Sequence, residues 1–153
     1  MPNTDSGKIK TIVLATRPWS FTMTGLSVVI GSIAVVAARF NWLFFAANFL
    51  GMILIHAATN VLNDYFDFRS GVDKPGAPTT MYRRHPLVEA DLTQTTVIGL
   101  SICLYAMAGA LGVFLFLVRG PNIALLALIG GVASVFYTAG PVHYKYRALG
   151  ELS

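Results

Sequence analysis

The chain is 153 residues long, 55% hydrophobic and only 12% charged, with a formal net charge of +4 and a mean hydropathy of +0.64. That charged share is about half that of an average soluble domain, which argues against a soluble globule, and the basic excess lacks the aromatic-interleaved stripe that follows a nucleic-acid backbone, so no nucleic-acid partner is expected. The single cysteine, Cys103, excludes an intrachain disulfide and a cysteine metal site; lying in an apolar window, it is expected to be a buried small side chain.

Four windows, residues 18–38, 40–63, 92–118 and 120–144, contain no Asp, Glu, Lys or Arg. A helix needs about 20 residues to cross about 30 Å of hydrocarbon. The pattern predicts an all-α membrane protein with four transmembrane helices, at about 18–38, 42–66, 95–118 and 121–140. Residues 1–17 precede them as a cytoplasmic or interfacial segment, in which Ile9, Ile12, Val13 and Thr16 alternate with Lys8, Lys10 and Arg17 and can lie along the headgroup boundary. The first apolar stretch is read as a retained anchor and not a cleaved signal peptide. A loop over 67–94, rich in Pro, Gly and Arg, separates the second and third spans. Arg119-Gly120-Pro121 predicts a tight connection that makes the third and fourth spans a helical hairpin. Gly25, Gly31, Gly109, Gly112, Gly130 and Gly131 are expected to let helix backbones approach closely.

If the spans alternate, Lys8, Lys10, Arg17, Arg69, Lys74, Arg83, Arg84, Lys145 and Arg147 share one side, and only Arg39 and Arg119 lie on the other. The positive-inside rule puts the first side, with both ends of the chain, in the cytoplasm. The expected location is the cell membrane, as a multi-pass integral protein.

The second span ends on polar residues: His56, Asn60, Asn63, Asp64 and Asp67 recur at spacings that share one helix face. An Asp near a bilayer centre costs about 2.5 to 3.5 kcal/mol on insertion scales, so such a stripe faces a bundle interior or a wet cavity. The helix should stop near Gly71, a residue that takes the left-handed conformation closing a helix. Asp73 then sits just past the end, near the same mouth. Amides and carboxylates are hard oxygen donors that suit Mg²⁺, which protein carboxylates usually hold together with phosphate oxygens. The adjoining Arg69, Lys74, Arg83 and Arg84 add cations able to hold a diphosphate. The alternative is a helix–helix hydrogen-bonding seam with the loop cations as membrane anchors.

These residues carry a family resemblance. Asn63-Asp64-Tyr65-Phe66-Asp67-Phe68-Arg69-Ser70-Gly71-Val72-Asp73 resembles the first Asp-rich motif of the UbiA-type intramembrane prenyltransferases, most of all the branch that prenylates 1,4-dihydroxy-2-naphthoate. Arg17-Pro18-Trp19, then Arg84-His85-Pro86-Leu87-Val88 with Asp91-Leu92-Thr93, and finally Tyr137-Thr138-Ala139-Gly140-Pro141 running through Tyr144-Lys145-Tyr146 to Leu149-Gly150-Glu151, resemble further family stretches in the right order. The resemblance implies the first half of a UbiA-like helical bundle that transfers a polyprenyl group from its diphosphate to an aromatic acceptor, with Mg²⁺ as cofactor. It implies that Asn63, Asp64, Asp67 and Asp73 bind the metal, and that Asp64, Asp67 and Tyr137 serve the chemistry. Arg17, Asn60, Lys74, Arg83, Arg84 and Lys145 would hold diphosphate. His56 is expected to be a hydrogen-bonded interior residue, and His85 and His143 to be loop and interface residues.

Family members run to about twice this length and carry a second Asp-rich motif. None of the acidic residues here, Asp5, Asp64, Asp67, Asp73, Glu89, Asp91 and Glu151, forms a second pair on a span. The chain is therefore read as truncated, inactive alone, and completed by the missing second half of the bundle. The rival readings are a small ion- or proton-conducting membrane protein that uses the polar stripe, and a non-catalytic UbiA-like scaffold. The longer Asp-Gly and Ala-Arg motif of CDP-alcohol phosphatidyl transferases is absent.

Overall fold

The computed structural model describes residues 5–33, 40–137, 139 and 145; most of these residues are helical, the rest are turns, bends and irregular loop, and no strand is among them. Helix α1 covers Asp5–Ala15, followed by a 3-10 turn at Pro18–Ser20 and helix α2 at Phe21–Ile33. The long helix α3 spans Trp42–Arg69 and the short α4 Pro78–Tyr82; α5 spans Gln94–Arg119 and α6 Pro121–Phe136.

Capping residues set the ends of the long helices. Asn41 Oδ1 accepts the amides of Leu43 and Phe44 and starts α3, and Thr93 Oγ1 accepts that of Thr96 and starts α5; each satisfies donors that have no partner inside the helix. Helix α3 stops where expected. Gly71 adopts a φ of +74°, and the amides of Val72 and Asp73 fold back onto the Asp67 carbonyl at 2.9 and 3.1 Å. Between α5 and α6, Gly120 at φ +89° and Pro121 at the first helical position make the tight connection that the sequence predicts.

Helices α3 and α5 are each long and apolar enough to cross a membrane. A core helix of a soluble protein passes the same length test but is mostly buried; here only 17% and 11% of the two apolar windows are buried. Outward-facing Met23, Ile30, Leu117 and Leu126 extend this exposed apolar surface. Helices α2 and α6 have 13 and 16 residues. Residues 34–38 of the first expected span, and residues 138 and 140 of the fourth, lie outside the described residues.

Helix α3 is the hub, packing chiefly on α5 and also on α1, α2 and α6. Polar contacts tie the apolar helices together, as they do where no water competes. Ser101 Oγ donates to the Ala58 carbonyl at 3.1 Å, while the Tyr105 hydroxyl meets Thr59 and Ser134, each at 3.1 Å. His56 is an interior hydrogen-bonded residue, with Thr24 at 2.6 Å and Ser20 at 3.1 Å. The buried apolar core gathers at one end of the bundle, where Ala15, Val61, Leu87, Leu92 and Val97 join α1, α3, the loop and α5.

Two expectations need correction. Cys103 is exposed, because its face of α5 points away from α3. Of the six glycines expected at helix contacts, a Cβ would meet a neighbour only at Gly25, against Phe49, and at Gly112, against Ala127.

A Cβ at Gly71 would meet no atom within 4 Å, so substitution there tests conformation alone. Gly71→Ala is expected to cost about 1 to 2 kcal/mol, the penalty of a left-handed L-residue, and Gly71→Asn clearly less, since Asn tolerates that region. Unfolding free energies in detergent micelles would check both.

Candidate active site

The polar stripe of α3 points inward. Asn63, Asp64 and Asp67 are buried, with Asp64 0% exposed, and Asp73 joins them from the turn after Gly71 at 2% exposed. An ionised carboxylate so far from water needs compensation by cations and hydrogen bonds. Asp64 finds two: Arg17 Nη2 and Arg83 Nη2 each donate to Oδ1 at 2.5 Å. Arg17 reaches it from the turn before Pro18, where it holds a φ of +55°. Arg83 reaches it from the extended residue that ends α4.

Asp67 is held differently. Its Oδ2 accepts the Asn63 amide at 2.9 Å and pairs with Lys145 Nζ, which also donates to Asn63 Oδ1 at 3.0 Å. The Lys145 amide bonds the Tyr137 carbonyl at 3.0 Å, next to the end of α6. Asp73 faces His85, whose Nε2 lies 3.1 Å from Asp73 Oδ2 and 3.9 Å from Asp64 Oδ1. The shorter contact is at hydrogen-bonding distance but off hydrogen-bonding angle, since neither atom has an aligned partner. Burial pushes the Asp73 carboxyl up, but the close approach of His85 and Thr79 and the electrostatic pull of His85 and Lys145 outweigh it and hold the group below the ordinary carboxylate range.

The remaining expected residues divide. The adjacent Arg83 and Arg84 turn in opposite directions: Arg83 is buried against Asp64, whereas Arg84 is exposed and bound to Asp91. Hydrogen bonding from Arg84 lowers the Asp91 pKa. Lys74 is exposed. Asn60 donates its amide to the Thr16 carbonyl at 2.9 Å and to Ser20 Oγ at 3.2 Å, which fastens the turn carrying Arg17 onto α3. Tyr137 is half-buried. His143, Tyr144, Tyr146, Arg147 and Glu151 lie outside the described residues. Reading the sequence places His85 on the loop, where it stands, but misses that it is wholly buried in the cluster. An isolated loop histidine has no periodicity to reveal it; the one available signal is its place between Arg84 and Pro86-Leu87, of which Pro86 and Leu87 are also buried.

Oxygen donors remain for a cation. Asp64 Oδ2 and both Asp73 oxygens are buried without a hydrogen-bond partner, as are Arg17 Nε and Arg83 Nε and Nη1. Orphaned carboxylate oxygens beside orphaned guanidinium donors fit a hard cation that shares an anion's oxygens with the protein. Asp64, Asp73 and His85 each bring one ligand-type atom within 4.8 Å of the others.

An apolar helical bundle with a buried cluster of carboxylates and cations at the end of its central helix is the class of protein that the fold and site define. The chain belongs to the UbiA prenyltransferase family, which matches over residues 24–153. It is 39% identical over 155 residues to a UbiA prenyltransferase domain-containing protein 1 homolog of Drosophila melanogaster, covering 95% of this chain and 41% of the relative. Identity is 31% over 151 residues with UbiA prenyltransferase domain-containing protein 1 of Xenopus tropicalis, at 95% and 42% coverage. With the 1,4-dihydroxy-2-naphthoate octaprenyltransferase of Bacillus subtilis it is 29% over 138 residues, at 90% and 43%. The chain thus spans less than half the length of these curated relatives. No solved structure gives a significant match.

Arg83→Gln removes one of two buried partners of Asp64 and is expected to cost on the order of 2 kcal/mol, below the ~3–5 kcal/mol of a buried pair broken outright, because Arg17 remains. Arg84→Gln should leave stability unchanged. Side-by-side unfolding of the two variants in detergent checks the division.

Proposed function

We propose that this chain is the first half of a Mg²⁺-dependent membrane prenyltransferase that moves a polyprenyl group from its diphosphate to an aromatic acceptor, a naphthoate or related quinone precursor. Family membership and the likeness to a naphthoate octaprenyltransferase support the reaction class. The observation that carries the site is the set of orphaned oxygens on Asp64 and Asp73 facing orphaned Arg17 and Arg83 donors.

In this reading residues 1–17 are interfacial, residues 18–153 form a partial transmembrane domain with four spans, and residues 67–94 form an Asp-rich cytoplasmic loop. Both ends are cytoplasmic in the cell membrane, and a second half of the bundle completes the site. Asn63, Asp64, Asp67 and Asp73 hold Mg²⁺, which when bound neutralises charge on the departing diphosphate. Arg17, Arg83 and Lys145 give their N–H donors to the outer phosphate oxygens, with Lys74 and Arg84 at the rim. Asn60 serves by holding the Arg17 turn in place. Tyr137 lines the chamber, where an aromatic face stabilises an allylic cation. The bonding of His56 to Ser20 and Thr24 supports an interior seam over a conduction pathway.

In the complete protein, Asp64→Ala and Asp67→Ala are each expected to lower prenyl transfer at least about 100-fold, the scale of losing one charge-stabilising group, with membrane insertion unchanged. Chelation by EDTA should abolish transfer and added Mg²⁺ restore it. Transfer assays with radiolabelled polyprenyl diphosphate check both; full turnover by either variant, or by purified residues 1–153 alone, would contradict the reading.

A further inference from the structure

His85 is the one wholly buried side chain of the cluster that the proposed chemistry does not use. Its backbone sits in a compact turn, in which the Glu89 amide bonds the His85 carbonyl at 3.1 Å and the Leu92 amide bonds that of Pro86 at 3.0 Å. The ring faces two different sets of groups. Nδ1 accepts the amides of Leu87 and Val88, each at 3.2 Å. Nε2 faces the carboxylates of Asp73 and Asp64, at 3.1 and 3.9 Å.

Those two amides decide which nitrogen carries the proton. A neutral imidazole has one donor and one acceptor nitrogen, and Nδ1 must be the acceptor, so the proton is on Nε2. A metal at Nε2 would need the lone pair there and would drive the proton onto Nδ1, against two N–H donors. His85 is therefore a donor to carboxylate and not a further metal ligand, although its distance to both acids would permit ligation. Asp73 has particular need of such a donor. It stands on the turn after α3, outside the helix, neither of its carboxylate oxygens has an aligned hydrogen-bond partner, and His85 Nε2 is within 3.1 Å of its Oδ2.

We propose that His85 is a positioning residue that donates through Nε2–H to Asp73 and holds that carboxylate beside Asp64, so that the two acids engage a metal-bound diphosphate together while the imidazole stays off the metal. The inference rests on the diphosphate-site reading above. Groups of this kind, one shell away from a metal, typically change metal affinity 10- to 100-fold when removed.

The test is Mn²⁺ binding, followed by electron paramagnetic resonance, to the full-length protein in lipid nanodiscs with inorganic diphosphate present. His85→Asn supplies an oxygen that can accept the same two amides but lacks the Nε2 donor. It should leave the thermal midpoint nearly unchanged and weaken Mn²⁺ binding about 10-fold or more. His85→Gln, which puts a donor nitrogen at the ε position, should recover most of the loss. In an Asp73→Asn background, His85→Asn should add less than about twofold, because coupled residues are not additive. Should His85→Asn fail to fold, the same cycle is run with His85→Ala, which also lacks the Nε2 donor. Unchanged Mn²⁺ affinity in His85→Asn, fully multiplicative losses with Asp73→Asn, or a directly bound imidazole nitrogen in the Mn²⁺ echo modulation that His85→Asn removes would overturn the positioning role. Failure of the wild type to bind Mn²⁺ with diphosphate would instead overturn the site reading on which it rests.

Discussion

The structure turns on a single buried charge. Asp64 is fully removed from solvent on an apolar helix, a placement that costs several kcal/mol for an ionised carboxylate without a partner. Its two guanidinium partners come from opposite sides of the sequence, Arg17 before α2 and Arg83 after α4. Satisfying one carboxylate therefore fastens the N-terminal segment and the long loop onto α3. The left-handed backbone of Arg17, worth about 1 to 2 kcal/mol of strain, is offset by that pairing and by the Asn60 amide on the neighbouring Thr16 carbonyl.

The charges of the cluster also balance. Asp64, Asp67 and Asp73 set three acidic side chains against the three basic ones of Arg17, Arg83 and Lys145. Lys145 links the two halves, since it pairs with Asp67 and its charge acts on Asp73. A bare divalent cation entering this site would leave positive charge uncompensated in a low-dielectric setting, and a bare diphosphate would leave negative charge. A metal and a diphosphate entering together largely cancel, so in the proposed function the metal–diphosphate complex, and neither part alone, is the ligand that fits.

Much of this was legible in the residues. A run of apolar positions interrupted on one helix face by Asn63, Asp64 and Asp67 can only turn that face inward, and Gly71 marks the end of α3 by its conformational preference. Asp73 followed from that stop. What the sequence could not resolve depends on directions that local pattern does not encode. Arg83 and Arg84 are neighbours of the same type, yet the extended backbone of Arg83 sends one inward and its neighbour out to Asp91. Asn60 lies on the stripe but its amide serves the Arg17 turn. His85 is brought in by a loop whose folding depends on Pro86 and Leu87 entering the core, a tertiary event with no period to read. Cys103 shows the converse error: an apolar window does not bury every residue in it, and the outward side of α5 leaves the cysteine exposed.

The central claim is most directly tested by equilibrium binding of inorganic diphosphate to the full-length protein in nanodiscs, measured calorimetrically with and without Mg²⁺. The account predicts saturable binding with Mg²⁺ that falls at least about tenfold without it, as expected for ligands that neutralise one another in a buried site. Binding of equal strength without the metal, or none in its presence, would contradict it.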